Sequence, residues 1–272
     1  MVWAPAPRFA DLAAEAPPGW FARVGRPDGS EYLRWTDLFE FLISPDGSRI
    51  EGRALEKASD ESFQTYLLAQ VLSFALLKKG VEPLHATTVV VNERAIAFAA
   101  MPGRGKSTLG AALLGAGARM LTDDALVLQP SDEGYMAQPS VPRIKLFPAT
   151  ARVLLGADAS GVAMNEDTPK MIIPLDEARF CDEPMPLQTI YVLADTSRAE
   201  KVWTRRMSAR RAFVALTRHT FNSVVVDEGR LRQQFAFATD VASAVPVKAL
   251  SYPRGLDELP AVCDAILEDT TA

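Results

Sequence analysis

Apolar residues in this chain change their spacing several times, and each change marks an element. In "DESFQTYLLAQVLSFALLKK", Asp60 to Lys79, they recur at helical spacing, with acids in the first turn, two lysines in the last and Gly80 just beyond. That pattern predicts a helix with matched ends. Upstream, "LFEFLISPDGSRIEGRAL" alternates apolar positions on both sides of Pro45-Asp46-Gly47, which predicts two short strands joined by a turn. Met1 to Trp20 is rich in proline and alanine without a clear period and reads as an irregular arm. Further on, "ATTVVV" and "RAIAFAA" are β-branched or apolar runs separated by the turn Asn92-Glu93. "RMLTDDALVLQ" reads as another strand pair, or a strand with its exit loop, and "LQTIYVLA" as one more strand. Near the C-terminus "RMSARRAFVALTRHTF" is an amphipathic helix with a basic face, and "LDELPAVCDAILED" closes the chain as a helix. Neither internal repeats nor low-complexity segments interrupt this order.

With 272 residues and 48% hydrophobic content, the chain can bury a sizeable core. Its formal charge of −5 offers no general attraction to nucleic acid or to an anionic membrane, so any phosphate chemistry must be local. Two cysteines, Cys181 and Cys263, are too few for a disulfide framework and lack metal-ligand spacing. The N-terminal segment has no basic region leading into an apolar stretch. No run reaches the roughly 18 to 20 apolar residues of a membrane span. The expectation is a cytoplasmic protein with neither a nucleic-acid nor a membrane partner.

The chemistry concentrates where a strand, a glycine-rich loop, a helix and another strand follow in order: "RAIAFAA", "MPGRGKST", "STLGAALLGAG" and "RMLTDD". In such a loop the backbone N–H groups of Pro102-Gly103-Arg104-Gly105-Lys106-Ser107-Thr108 (proline excepted) turn toward phosphate. The lysine reaches the terminal phosphates and the Ser107 hydroxyl binds Mg²⁺. The pattern G-x-x-x-x-G-K-S/T is met except at its first position, which holds Ala100. That glycine serves backbone conformation rather than chemistry, so Ala100 weakens the match without removing a reacting group. Asp123 and Asp124 end the next strand, where a β-loop-α-β unit returns them beside the loop. On a strand, neighbouring carboxylates point to opposite sides. One can serve the metal while the other accepts a proton from an attacking hydroxyl. His85, one of only two histidines, begins the strand that should pair near the loop strand. His219 reads as a packing or helix-end residue.

These residues resemble the HPr kinase/phosphorylase family and its shorter HPr-kinase-like relatives, in which a histidine, a "GKS" loop and a "DD" pair follow at similar intervals. The likeness runs from Leu84 to Leu128, through "LHATTVV" and "GRGKSTLGAALLGAGARMLTDDALVL". It implies an α/β fold: a P-loop kinase domain of the HPr kinase and phosphoenolpyruvate carboxykinase type over residues 81–272, after a small β-rich portion with one helix over 1–80. It further implies that Lys106 holds the β- and γ-phosphates of ATP, that Ser107 and Asp123 serve Mg²⁺, and that Asp124 deprotonates a substrate serine. His85 would sit against that acid and orient it or tune its pKa.

The arginine-centred segment that HPr kinases carry downstream is not found, which puts HPr itself in question as substrate. In its place "PSVPRIKLFP" and "TPKMIIPL" offer Arg143, Lys145 and Lys170, cations able to neutralise a transferring phosphoryl group. The function implied is transfer of phosphate from ATP to a hydroxyl, expected to be serine, of a peptide or protein. A homo-oligomer is compatible with that resemblance. A small-molecule kinase on the same site and a non-catalytic ATP-binding regulatory module remain the alternatives. The run Arg205, Arg206, Arg210, Arg211 reads as a solvated helix face in preference to a nucleic-acid or acidic-peptide patch.

Overall fold

The computed structural model describes residues 1–165, 168–194, 199–222 and 224–271. The chain divides into two compact units, Met1–Val81 and Glu82–Ala272.

In the first unit the chain forms β1 (Val2–Trp3), α1 (Ala10–Glu15), β2 (Phe21–Gly25), β3 (Glu31–Trp35), β4 (Phe39–Ile43), β5 (Ile50–Ala54), α2 (Asp60–Tyr66) and α3 (Leu72–Lys78). The strands make one sheet in the order β1-β5-β4-β3-β2. The β4–β5 turn forms where Pro45-Asp46-Gly47 predicts it. The Asp46 carboxylate accepts the Ser44 hydroxyl at 2.5 Å and the Ser48 N–H at 3.0 Å, while Gly47 takes φ +65°. One sheet face is aromatic, with Phe41 4.9 Å from Phe63 and Phe39 4.8 Å from Tyr66 between ring centres. The helix expected over Asp60 to Lys79 forms as α2 and α3, joined by a wider turn at Leu67–Val71, and Ser59 and Ser62 cap its start reciprocally. The arm expected to be irregular is ordered. Phe9 and Leu12 bury themselves against Tyr32 and Leu42, two anchors too sparse to make a period in a Pro- and Ala-rich segment.

The second unit continues with β6 (Leu84–Val91), β7 (Arg94–Ala99), α4 (Lys106–Gly115), β8 (Arg119–Leu126), β9 (Leu128–Ser131), β10 (Gly134–Ala137), β11 (Arg143–Leu146) and α5 (Pro148–Leu155). After these come β12 (Val162–Asn165), β13 (Thr168–Pro174), β14 (Met185–Leu193), β15 (Trp203–Arg206), α6 (Ala209–His219), α7 (Glu228–Ala244), β16 (Val247–Ser251) and α8 (Leu259–Thr271). The main sheet runs β15-β16-β14-β7-β6-β8. Asn92 and Glu93 both take positive φ, 50° and 58°, which lets a two-residue turn fold β6 back on β7. β8 then pairs with the other edge of β6. The loop strand and the acid strand are therefore not neighbours, since β6 runs antiparallel between them.

β7, β14 and β16 are parallel, so their carboxyl ends share one edge of the sheet. That edge is where ligands gather in open α/β sheets. Alternation along β7 assigns its two faces. Ile96, Phe98 and Ala100 join Leu109 and Leu113 of α4 and Val262 and Ile266 of α8. Ala95, Ala97 and Ala99 face Ala212 and Leu216 of α6 and Ala238 and Val241 of α7. A second antiparallel sheet, β11-β13-β12, reaches β8 through its lead-in, where the Ser140 N–H donates to the Leu121 carbonyl at 3.0 Å.

Candidate functional site

The loop between β7 and α4 uses its glycines where the backbone requires them, with φ +76° at Gly103 and +92° at Gly105. Ala100 is not among the residues of positive φ. Its methyl is 2% exposed and belongs to the core beneath α4. Alanine at the first pattern position is thus the buried residue just past the end of β7. The Lys106 ammonium donates to the Ala100 carbonyl at 2.8 Å. Pro102, Gly103 and Arg104 form the exposed crown, and Ser107 and Thr108 lie in the first turn of α4, whose free N–H groups face the loop. Tyr252, just beyond β16, closes the far side: a Cβ on Gly105 would lie 3.3 Å from its hydroxyl.

Asp123 is held from three directions. Its Oδ1 accepts the Ser107 hydroxyl at 2.8 Å and the Thr87 hydroxyl at 2.6 Å, and its Oδ2 accepts the Lys145 N–H at 3.0 Å. Thr87 comes from β6, the strand threaded between loop and acid. Asp124 departs from regular strand geometry with φ +108°, a conformation that costs a non-glycine residue about 1–3 kcal/mol. Its carboxylate pairs with the Lys145 ammonium. The simple picture of two acids on opposite sides of a strand therefore changes, because Lys145 engages Asp123 through its backbone and Asp124 through its side chain.

The site is rich in cations. Burial lowers the Lys106 amine to about 8, with Lys170 and Lys145 adding repulsion and Asp123 opposing. Burial likewise brings Lys145 to about 8, again against the attraction of Asp123. Arg143 is lowered by burial, and its Nε is buried without a partner among the described residues. The Lys170 ammonium lies 5.4 Å from the centre of the Phe147 ring. Of these groups, Arg143 and Lys145 arrive on β11 and Lys170 on β13. Together they form a cationic wall that suits an anion.

His85 lies opposite Ala125 in the β6–β8 ladder, and its ring stacks on Phe221 at 5.3 Å. Burial and then repulsion from Lys106 hold its imidazole down to about 3. His219, at the end of α6, is 8% exposed; burial, then Lys106 and Arg218, bring it to about 4. Both rings are neutral at pH 7. From sequence, His219 reads as a packing or helix-end residue. It is buried at a helix end, and it also shares the electrostatic surroundings of Lys106 and His85. A polar residue on the buried side of the α6 period was the available signal.

The segment carrying Phe221 is clamped. Arg230 of α7 donates to the Phe221 carbonyl at 2.9 Å and to Glu82 at 3.1 Å, while Gln234 reaches the Thr220 hydroxyl at 2.6 Å.

The oxygens of Ser107, Asp123 and Thr87 are hard donors of the kind Mg²⁺ takes. Among the described residues no group of three or more His, Cys, Asp or Glu side chains could hold a metal ion alone. That combination fits an ion bound by one or two protein oxygens and completed by phosphate and water.

No family model matches the chain, and no curated protein matches it. Among solved structures, the HPr(Ser) kinase/phosphatase from Coxiella burnetii aligns with 70% of this chain and 96% of its own, at 10% identity and a TM-score of 0.39. A likeness that distant carries no functional weight. The fold itself is mixed α/β, and no helix of the described residues is long and apolar enough to cross a membrane.

Proposed function

We propose that this chain is a kinase that uses ATP and Mg²⁺ to phosphorylate a hydroxyl, a serine of a peptide or protein. The observation that carries the reading is the meeting of loop and acids: Lys106 and Ser107 at the start of α4, Asp123 bonded to Ser107, and Asp124 beside it against Lys145. In this reading Ser107 and Asp123 would hold Mg²⁺, which supplies counter-charge to phosphate oxygens when bound. Lys106 leaves the Ala100 carbonyl for the terminal phosphates, and Lys145, with Arg143 and Lys170, takes up charge on the transferring group. Asp124 accepts the serine proton as the oxygen forms its bond to phosphorus and the bond to ADP breaks. Neutral His85 and His219 add no positive charge that would compete for the acid.

A nucleotide-binding module without transfer is the second reading. The Asp124–Lys145 pair favours it, since that pair occupies the candidate base. One experiment separates the two readings. ATP affinity is measured by calorimetry beside single-turnover release of ADP, with and without serine peptides, for the parent and for Asp124→Asn. Asparagine tolerates positive φ, so the fold should persist. The kinase reading expects near-parental ATP affinity and a transfer rate lower by roughly 10²- to 10⁴-fold. Tight ATP binding by the parent with no transfer to any hydroxyl means the module reading is correct.

A further inference from the structure

The arginines read from sequence as a solvated face gain a direction in the folded chain. β15 runs antiparallel to β16, with Trp203 opposite Ser251 and Arg206 opposite Lys248. β16 runs parallel to β14 and β7, so its end at Ser251 and the following Tyr252 lie at the loop edge, Trp203 lies toward that edge and Arg206 away from it. From there α6 returns toward the loop edge and ends at His219, next to Thr220, which bridges Leu84 at the start of β6 opposite the loop end of β7.

On the exposed side of α6, Arg211, Val214 and Arg218 stand at i, i+3 and i+7, with Arg210 beside them. Val214 is 42% exposed. Among the described residues, none of Arg206, Arg210, Arg211 and Arg218 forms an ion pair. In a chain of net charge −5, this stripe of guanidinium groups, unpaired among the described residues, ends where Thr220 bridges Leu84 and Phe221 stacks on His85, at the start of β6.

We propose that the exposed face of α6 docks an acidic segment of the acceptor peptide, one carboxylate on Arg211 and another on Arg218, and so leads its serine to the Lys106–Asp124 site. This inference rests on the kinase reading above. Seven residues of helix rise by about 10 Å, and an extended peptide advances about 3.3 Å per residue. The two acidic positions therefore stand about three residues apart in the acceptor. Guanidinium groups bind carboxylates with two parallel hydrogen bonds, and Val214 offers a small apolar contact between them. An acidic peptide is favoured over nucleic acid because the stripe itself, Arg211–Val214–Arg218, carries no aromatic residue on which a base could stack.

The test uses the full chain and a fluorescein-labelled peptide with one serine and two aspartates three residues apart, beside the same peptide with asparagines. Anisotropy should show the acidic peptide bound and the neutral one not. The double variant Arg211→Glu/Arg218→Glu should weaken binding about tenfold, Arg211→Gln/Arg218→Gln less, and high salt should weaken it in the parent. ATP affinity should be unchanged in both variants, which also reports that they fold. Equal binding of the two peptides, or equal binding by parent and charge-reversed chain, overturns the proposal. Tighter arginine-dependent binding of a single-stranded oligonucleotide overturns it in favour of nucleic acid. If the aspartate peptide docks through the arginines but receives no phosphate, docking stands and the kinase reading falls. If both peptides are phosphorylated equally well, the reverse holds.

Discussion

Replacing Ala100 by glycine gives the loop the residue its pattern has at that position, and the structure expects the protein to be worse for it. The Ala100 methyl is buried against the core under α4, and its backbone does not take positive φ. Glycine removes about 0.8 kcal/mol of buried methyl. It also adds about 0.5–1 kcal/mol of conformational freedom to the unfolded chain. The sum is about 1.5 kcal/mol. For a domain of this size that lowers Tm by roughly 3–6 °C. Nucleotide affinity should stay within about twofold, a few tenths of a kcal/mol, because the carbonyl that accepts from Lys106 belongs to the backbone and survives the change. Calorimetric melting of the Ala100→Gly variant, beside ATP titration, measures both quantities. A higher Tm, or an ATP affinity improved by about tenfold, would refute the packing argument and show that alanine strains the loop.

Gly110 in α4 offers a second test, because a Cβ there would lie 2.7 Å from the Thr87 methyl and 3.2 Å from the Met120 terminus. Although alanine favours helices, Gly110→Ala should destabilise by about 1–3 kcal/mol and, by displacing Thr87 from Asp123, weaken Mg²⁺-dependent ATP binding; unchanged melting would show that β6 yields freely. Glu82 supplies a pH dependence, since burial raises its carboxyl to about 7 while Arg230 opposes the shift. The folded chain then holds a proton that the unfolded chain has released, so stability should fall as pH rises from about 4.5 to about 7 and level off above. Urea denaturation across that range measures the slope, and Glu82→Gln should remove this residue's share of it. Arg230→Met should cost about 3–5 kcal/mol above pH 7, where Glu82 would be left charged and buried, and less below it; the double change with Glu82→Gln should restore the part due to that charge but not the hydrogen bond lost at the Phe221 carbonyl.

The turn of the glycine-rich loop between β7 and α4 was legible in the sequence because its parts are contiguous: Gly103, Gly105, Lys106 and Ser107 need only their neighbours to take up their geometry. The hairpins at Pro45-Asp46-Gly47 and Asn92-Glu93 were legible for the same reason. What was hidden depends on long-range pairing. Nothing near Thr87 announces that β6 will separate the loop strand from the acid strand, or that its hydroxyl will hold Asp123. Arg143 and Lys145 stood out as cations, but their approach depends on β11 reaching β8. α7 is not legible because the first half of its pattern is inverted: Arg230 and Gln234 are buried while Leu231 and Phe235 are exposed, so a hydrophobic period finds no face to follow there. The buried pair with Glu82 and the hydrogen bonds to Thr220 and Phe221 make that inversion tenable.

The two-residue turn between β6 and β7 also bears on the order of assembly. That hairpin needs almost no loop closure, and α4 with β8 completes the next pairing within residues 84–126. The contact of β7 with β14 must instead wait for a strand far downstream. Lys106, Ser107, Thr87 and Asp123 all lie in the early stretch, so the cluster proposed to bind phosphate can form before the sheet is complete. ATP with Mg²⁺ present during refolding should then raise the folding rate itself as well as slow unfolding. A ligand whose contacts all form late would change only the unfolding rate, and stopped-flow refolding with and without nucleotide tells the two apart.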